Sequence, residues 1–440
     1  MVRPQNNRCP AGGTIKGRAR ARTSPTNLEN ARGIRRMRGV IVAPPLEIPP
    51  EKEREKSMKI VHRGFDRLEL SIGANIPSEL FEYLDPLREE AEEARQKMPV
   101  SYGGADFDLF PNGVKGYRFV LQGGPMEVTW FFKKPNARDP WGIRIVVGSL
   151  FLATQGLGMV RAYIAKTLER LGVRYGPHQV SIGRTDFCVD ILAPSFELNP
   201  ESFVMHSHAN RADHLTPEEH TRSNGKSGRF TSVTVGKTPG RQVTIYDKRR
   251  EAIDKRKPIW WDVWNANLEA EGLPPLDPQD RSESQIWRVE VRAGKRIMKD
   301  RWGITQWAHF DAKIGDVIAE AFEKIRYCEP DPMDTNRARW PNHEIWDLAK
   351  VDADTDLSEM RSHVDASAVK EVHKADQIKM IFALTLGNCI TLAALEGIES
   401  DDMESYMQDM GDRLRMEIQA DPERAANKLG KAKDRYRFVG

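Results

Sequence analysis

Gly183–Leu192 reads GRTDFCVDIL, and its alternation decides the fold. Along an extended chain, successive side chains point to opposite faces. Arg184, Asp186, Cys188 and Asp190 therefore share one face, and Thr185, Phe187 and Val189 share the other. Two further runs repeat the pattern. In Arg241–Asp247 (RQVTIYD), Gln242, Thr244 and Tyr246 oppose Val243 and Ile245. In Gln285–Arg292 (QIWRVEVR), Arg288, Glu290 and Arg292 oppose Trp287, Val289 and Val291. Paired in a sheet, these strands bury the apolar side against helices. The other side gathers carboxylates, arginines and one tyrosine.

Outward from these runs, the pattern predicts strands at Phe65–Ile72 and Trp141–Val147, and two around the Gly123–Gly124–Pro125 turn within Gly116–Lys134. Helical spacing marks Ile76–Lys97 and Leu157–Leu171. A polar loop, roughly 199–229, separates the first two chemistry-bearing strands. An insert at about 255–283, with Trp260, Trp261 and Trp264, separates the second from the third. From Gly303 the chain turns helical, most strongly over Ala308–Ile325 and Ala375–Gly397, with Pro330–Arg339 as a divider. The expected fold is α+β: a mostly antiparallel sheet, helices on one face, the active site on the other, and a helical C-terminal region. Expected divisions are a basic arm and Pro-rich linker at 1–57, a catalytic domain at 58–328 and the helical region at 329–440.

Net charge is only +3, so bulk charge does not announce a nucleic-acid partner. Residues 1–40, however, hold ten Lys or Arg against the single acid Glu29. Such an arm is expected to be disordered and suited to phosphates; Met58, which opens a strand-like run, is an alternative start. Cys9, Cys188, Cys328 and Cys389 lack metal or redox spacing and suggest a reducing cytoplasm. The longest uncharged runs, Ile145–Val160 and Met380–Leu395, have 16 residues each and read as too short to span a bilayer. For the second, a buried or oligomer-forming helix is expected.

The polar face has chemical meaning. Asp and Glu supply hard oxygen ligands suited to Mg²⁺ or Mn²⁺. A bound metal polarises a scissile phosphate, a tyrosine hydroxyl can attack phosphorus, and arginines fit phosphate oxygens. Asp186 and Asp190 would sit ~13 Å apart on a regular strand, too far to share one ion. Asp186 with Glu290 is the better pair, with Asp190 behind it or structural. The same pattern also describes an ordinary amphipathic surface strand, and strand tyrosines more often pack than react.

The three runs GRTDFCVDIL, VTIYDKRRE (Val243–Glu251) and IWRVEVR (Ile286–Arg292) resemble, in order, the plasmid replication initiation factor family. That family includes rolling-circle initiators and related relaxases of conjugative elements. Its pattern is Arg-x-Asp-x-x-x-Asp, then Arg-Ile-Tyr-[Asn/Asp/Glu]-Lys-x-x-Glu, then Trp-Arg-Val-Glu, and the resemblance covers roughly residues 60–325. It implies Tyr246 as nucleophile, Asp186, Asp190 and Glu290 as metal-binding carboxylates, and Lys248 and Glu251 as neighbours of the nucleophile. It also implies a 5′-phosphotyrosyl link. Thr244 departs from the family's Arg, which leaves open how phosphate is held, with Arg241, Lys248 or Arg288 as substitutes; the candidate DNA contacts are Arg184, Arg241, Arg288 and Arg292. The longer insert and the helical tail also depart, leaving origin recognition and oligomeric state open. Expected partners are origin DNA, single-stranded or extruded as a hairpin, a host helicase and a second copy of the chain, with no membrane. A conjugative relaxase and a non-catalytic DNA-binding protein are the alternatives.

Other signals carry less. His206, His208, His214 and His220 fit a solvated loop better than a metal site. Gly225, Gly228, Gly236 and Gly240 lack phosphate-loop spacing and read as turns. The tryptophans of the insert either stack on unpaired bases or pack its core.

Overall fold

A computed structural model describes residues 58–436 apart from 124–127, 206–220, 227, 238, 351–356, 358–359, 362 and 364–365. The basic arm, the loop histidines and most of the Gly123–Pro125 turn lie outside the described residues. In chain order the elements are β1 (Lys59–Ile72), α1 (Ser78–Ala94), β2 (Met98–Tyr102), β3 (Ala105–Leu109), β4 (Phe119–Gln122), β5 (Val128–Phe132), β6 (Ile143–Val147), α2 (Ser149–Arg170) and β7 (Val180–Leu192). There follow β8 (Phe203–Met205), β9 (Thr221–Lys226), β10 (Arg229–Gly236), β11 (Arg241–Asp247), α3 (Lys248–Asp254), α4 (Ile259–Ala270), α5 (Arg281–Ser284) and β12 (Ile286–Gly294). The chain ends with α6 (Trp307–Lys324), β13 (Ile325–Tyr327), α7 (Glu344–Ala349), α8 (Ala366–Leu395), α9 (Met403–Ala420) and α10 (Pro422–Arg435).

Eleven of the described strands form one sheet, ordered β2-β3-β4-β5-β6-β1-β7-β12-β11-β10-β9, and neighbours in it run antiparallel. The two longest strands, β1 and β7, sit at its centre, with β12 and β11 beside β7. The mostly antiparallel sheet expected from the alternation is thus present. The short hairpin β2–β3 was not expected; Gly103 and Gly104 turn it with φ of 59° and 76°. A side chain at Gly103 would put its Cβ 1.9 Å from the Arg170 carbonyl oxygen, so both conformation and space require glycine there.

The apolar face carries the main core. Phe187, Val189, Val243, Ile245, Val289 and Val291 are buried there with Val160 and Ile164 of α2 and Phe310, Val317 and Ile318 of α6. Each such side chain contributes roughly 1.5–3 kcal/mol by leaving water. Ile345 and Trp346 of α7 belong to the same core, so it extends past residue 328, where the sequence suggested a boundary. The reason is aromatic packing: Trp346 lies 5.0 Å from Phe322 and donates to its carbonyl oxygen.

Strand β1 is not regular. Its pairing with β7 shifts register between Ile60 and His62 and between Phe65 and Arg67, which makes Val61 and Asp66 extra residues on β1. Phe65 and Leu68 both remain buried in the core, and Asp66 and Arg67 together fill the interval between them.

The C-terminal helices form as expected, but α8 departs in one respect. Within it Gln377–Leu395 makes a 19-residue stretch that is long and apolar enough to cross a membrane by length and composition. Reading only the uncharged run made it too short, because the helix continues through Lys379. Of the two expectations for this run, a buried or an oligomer-forming helix, burial within the chain is not met: Ile378, Phe382, Leu384 and Leu395 are all exposed.

Candidate active site

Three strands position the site. β7 pairs with β12, and β12 with β11, so polar side chains from all three line up in rows. One row runs Asp190–Arg288–Tyr246, the next Cys188–Glu290–Thr244, and the third Asp186–Arg292–Gln242. Tyr246, Glu290 and Asp186 thus form a staircase of diagonal neighbours on one face, each step about 7–8 Å between backbones.

The end of β11 explains the spacing Tyr-Asp-Lys-x-x-Glu. Tyr246 is half-buried at the strand's last polar-face position. Asp247 caps α3 by accepting the Arg250 backbone N–H at 2.8 Å. Lys248 opens that helix and donates to Glu251 at 2.6 Å. Its ammonium lies 5.8 Å from the centre of the Tyr246 ring and 4.4 Å from that of Trp260. Burial alone would raise the Glu251 carboxyl, but Lys248, Lys255 and Arg288 outweigh it and hold it at about 2. Burial pushes the Tyr246 phenol well above its ordinary value; the Arg288 cation opposes this, and Glu290, Asp66 and Glu251 add to it.

The carboxylates divide into two environments. Asp186 takes both ends of the Arg184 guanidinium, at 2.8 and 2.5 Å, and Glu290 takes Arg292 Nε at 2.6 Å. Those two arginine side chains are each 28% exposed. Burial, reinforced by the charge of Glu290, raises the Asp186 carboxyl to about 7, against the pull of Arg184 and Arg292. Asp190 is different. It binds Arg288 Nε at 2.5 Å and Nη2 at 2.7 Å, and accepts the Trp264 indole N–H at 2.8 Å. Both side chains of the Asp190–Arg288 pair are 0% exposed, and Arg288 also donates to Asp66.

Several placements correct the sequence reading. Asp190 has the structural place that strand geometry left it, not the metal-binding role the resemblance implied: it is enclosed without exposed surface, and its partners Arg288 and Trp264 are sealed in with it. Arg288 is not a surface contact for DNA: it is fully buried beside Asp190 and Asp66, with Trp260 stacked 4.4 Å away. Arg241 points to the helix-covered face, where it pairs with Glu320 of α6 at 3.5 Å and is only 8% exposed. Its position follows from parity, since residues 241, 243 and 245 share a face. Arg184 and Arg292 do lie on the polar face beside the staircase.

The polar face is also partly roofed. Helix α4 lies over the Asp190 end, and its tryptophans pack with Val61, Ala252, Leu268 and Ile286. His62, cross-strand from Asp190, is enclosed there with its ring 5.6 Å from Trp260. Burial, aided by Arg288 and Lys248, lowers it to about 4 despite Asp190 and Asp66, so it is neutral. Asp66 and His62 are the participants that sequence reading missed. The signal was present: Phe65-Asp66-Arg67-Leu68 breaks the alternation and marks a bulge.

A hard divalent cation fits this donor set in a limited way. Asp186 and Glu290 face each other diagonally, and their mutual repulsion is what a cation would relieve. Magnesium commonly uses one or two carboxylates and leaves its other positions to water and phosphate. Among the described residues no group of three or more His, Cys, Asp or Glu could hold an ion. Glu69, cross-strand from Arg184, is already held by Arg67 at 2.6 Å and Arg144 at 2.5 Å.

Fold and site together define an antiparallel-sheet protein with a tyrosine, two paired carboxylates and part-exposed arginines on one face. No protein-family model matches the chain, and no curated protein matches it. Among solved structures it is similar to a rolling circle replication initiator protein from Geobacillus stearothermophilus, at 16% identity. The match covers 66% of this chain and 95% of that one, with a TM-score of 0.32.

Proposed function

We propose that this protein is a DNA nicking–closing enzyme that initiates rolling-circle replication by attack of Tyr246 on one strand at an origin. The observation that carries the reading is the staircase of Tyr246, Glu290 and Asp186 across three adjacent strands, with the tyrosine half-buried at its end. In the attack, the Tyr246 oxygen bonds to phosphorus and the bond from phosphorus to the 3′-oxygen breaks. The 3′-oxygen leaves as a hydroxyl, taking up the proton that the phenol loses. The resulting 5′-phosphotyrosyl link keeps the phosphoester's energy for rejoining; its direction rests on the family resemblance of the three motifs.

The other residues have distinct tasks. The phenol is protonated at neutral pH, so attack is coupled to proton loss, and the buried Arg288 cation favours the phenolate. Lys248, held by Glu251, keeps a positive charge near the tyrosine ring. Arg184 and Arg292 offer guanidinium donors to phosphate oxygens. Asp186 and Glu290 would hold Mg²⁺ or Mn²⁺, which when bound polarises the phosphate and offsets developing charge.

The test is a denaturing gel of end-labelled, single-stranded origin DNA from the protein's own replicon, with Mg²⁺ or Mn²⁺ present. Wild type should give a protein-linked labelled strand, and Tyr246→Phe none. The same adduct from both would move the nucleophile to another tyrosine. No adduct from either, with the DNA bound, would make this a DNA-binding protein instead. Transfer-origin DNA in place of replication-origin DNA separates a relaxase with the same chemistry.

A further inference from the structure

Beside the end of β11 lies a groove of about 930 Å³. Its walls come from the start of β10, the chain just after β7, the first turn of α3, and the short α5 leading into β12. Arg229, Arg249, Arg250 and Arg281 line it, against the acids Asp247 and Glu197. Asp247 is already engaged as the cap of α3. Phe230 lines the groove too and is 45% exposed.

The arginines are held in place without all being neutralised. Arg249 donates to the Ser284 hydroxyl at 3.2 Å and the Pro278 carbonyl at 2.7 Å, and Arg281 donates to the Gln285 side-chain oxygen at 3.0 Å. Those acceptors are neutral, so these bonds orient the guanidinium groups and leave their charge in the groove. Arg250, by contrast, is bound to the Asp254 carboxylate at 2.8 Å. Burial, with the nearby Arg281 and Arg250 cations, lowers the Arg249 pKa despite Asp247 and Asp280. Arginines that share a groove with an exposed aromatic ring suit a chain of phosphates carrying flat bases.

We propose that this groove binds single-stranded DNA, with phosphates on the arginines and a base stacked on Phe230. The groove adjoins the nucleophile along the chain. Asp247 follows Tyr246 in the chain, and Thr231, another lining residue, precedes Ser232, the cross-strand partner of Tyr246. Asp247 has the opposite parity from Tyr246, so a polymer passing from groove to tyrosine must turn around the end of β11. A flexible single strand makes that turn; a double helix does not, and a groove of this size admits only a few nucleotides. That the strand leads to Tyr246 rests on the nicking reading, while the binding itself does not.

The experiment is fluorescence anisotropy with a short labelled oligo(dT) and a blunt duplex of equal length, using the full chain. Wild type should bind oligo(dT) and prefer it to the duplex. The double variant Arg229→Gln, Arg281→Gln should bind it about tenfold more weakly, with a shallower dependence on salt, because fewer counterions are released. Phe230→Ala, which removes an exposed side chain, should lose about fivefold or more without changing the salt slope. Unchanged oligo(dT) affinity in both groove variants, with circular dichroism as for wild type, would overturn the proposal. So would equal or tighter binding of the duplex. Groove variants that lose binding while no protein forms a covalent adduct would uphold the groove and overturn the nicking reading alone.

Discussion

Asp186 and Asp190 stand on one face of β7, four residues apart, and each faces an arginine. Asp190 is sealed: Arg288, Trp264 and the roof of α4 leave the pair without exposed surface. Burial would raise its carboxyl, yet the charge and hydrogen bonds of Arg288 hold it below the ordinary range. Asp186 is equally buried, but its arginine reaches solvent and its neighbour Glu290 repels it, so its carboxyl is raised to about 7. One motif therefore supplies two kinds of group. Where helix α4 covers the sheet, an ion pair holds the structure together; where the cover ends, a carboxylate is left under electrostatic tension. The difference arises from what lies above the strand, not from the strand itself.

The largest effect expected from this comparison is on stability. Arg288→Ala leaves the buried Asp190 without its counter-charge and should destabilise the fold by about 3–5 kcal/mol, and Asp190→Ala, which leaves Arg288 with Asp66 alone, should cost somewhat less. Asp186→Asn should stay within about 1 kcal/mol of wild type near pH 7, because folding already disfavours the ionised Asp186. Urea midpoints for the three variants decide the matter, and similar losses in all three would erase the distinction.

The second expected effect is on pH dependence. Asp186 has a folded-state pKa of about 7, against about 3.9 expected when unfolded. Between those values the native state binds more protons than the unfolded state, so this group's contribution is full below about pH 4 and is lost as pH rises towards 7. Asp190 has the opposite sign: its contribution is present above its unfolded value and lost as pH falls through its lower folded value. Thermal midpoints of Asp186→Asn should therefore fall less between pH 4 and 7 than those of wild type. Glu290→Gln, which removes the repelling charge, should move the upper end of that fall to lower pH. A wild-type curve that both variants reproduce would show that Asp186 is not raised.

The smallest expected effect concerns the roof. Trp264→Phe keeps the ring packing and removes one hydrogen bond to the Asp190 carboxylate, which should destabilise by about 1.5 kcal/mol. The same urea titration reads it. No change would mean that Arg288 alone holds Asp190, and that α4 contributes cover without positioning.

The strands of the site were legible because period-two alternation survives in β7, β11 and β12, and their faces are as the alternation assigns them. The separate fates of Asp186 and Asp190 were not. Both read as acids on a polar face, and only the fold brings Trp264 over one of them. The tryptophans of α4 fitted base stacking and core packing equally well in the sequence; in the structure Trp260 and Trp264 are fully buried and pack. Arg241 was legible in principle, since its parity already set it with Val243 and Ile245. The groove arginines escaped notice because Arg229, Arg249 and Arg281 come from three separated segments, and no spacing rule joins them. The exposure of α8 escaped for the converse reason: an apolar run states what a helix wants to bury, not whether a neighbour is there.

The bulge at Asp66 has a consequence for the length of the chain. Between Phe65 and Leu68 a regular strand needs one residue, and here there are two. Deleting Asp66 would leave Phe65-Arg67-Leu68 in plain alternation, so the hydrophobic layer would accept the shorter protein without a change of phase. A deletion within Leu68–Ile72 would instead turn core residues outward. Tolerance to lost residues along β1 is therefore uneven. The one removal at this point that the oily side would not register is the one that takes a carboxylate from Arg288.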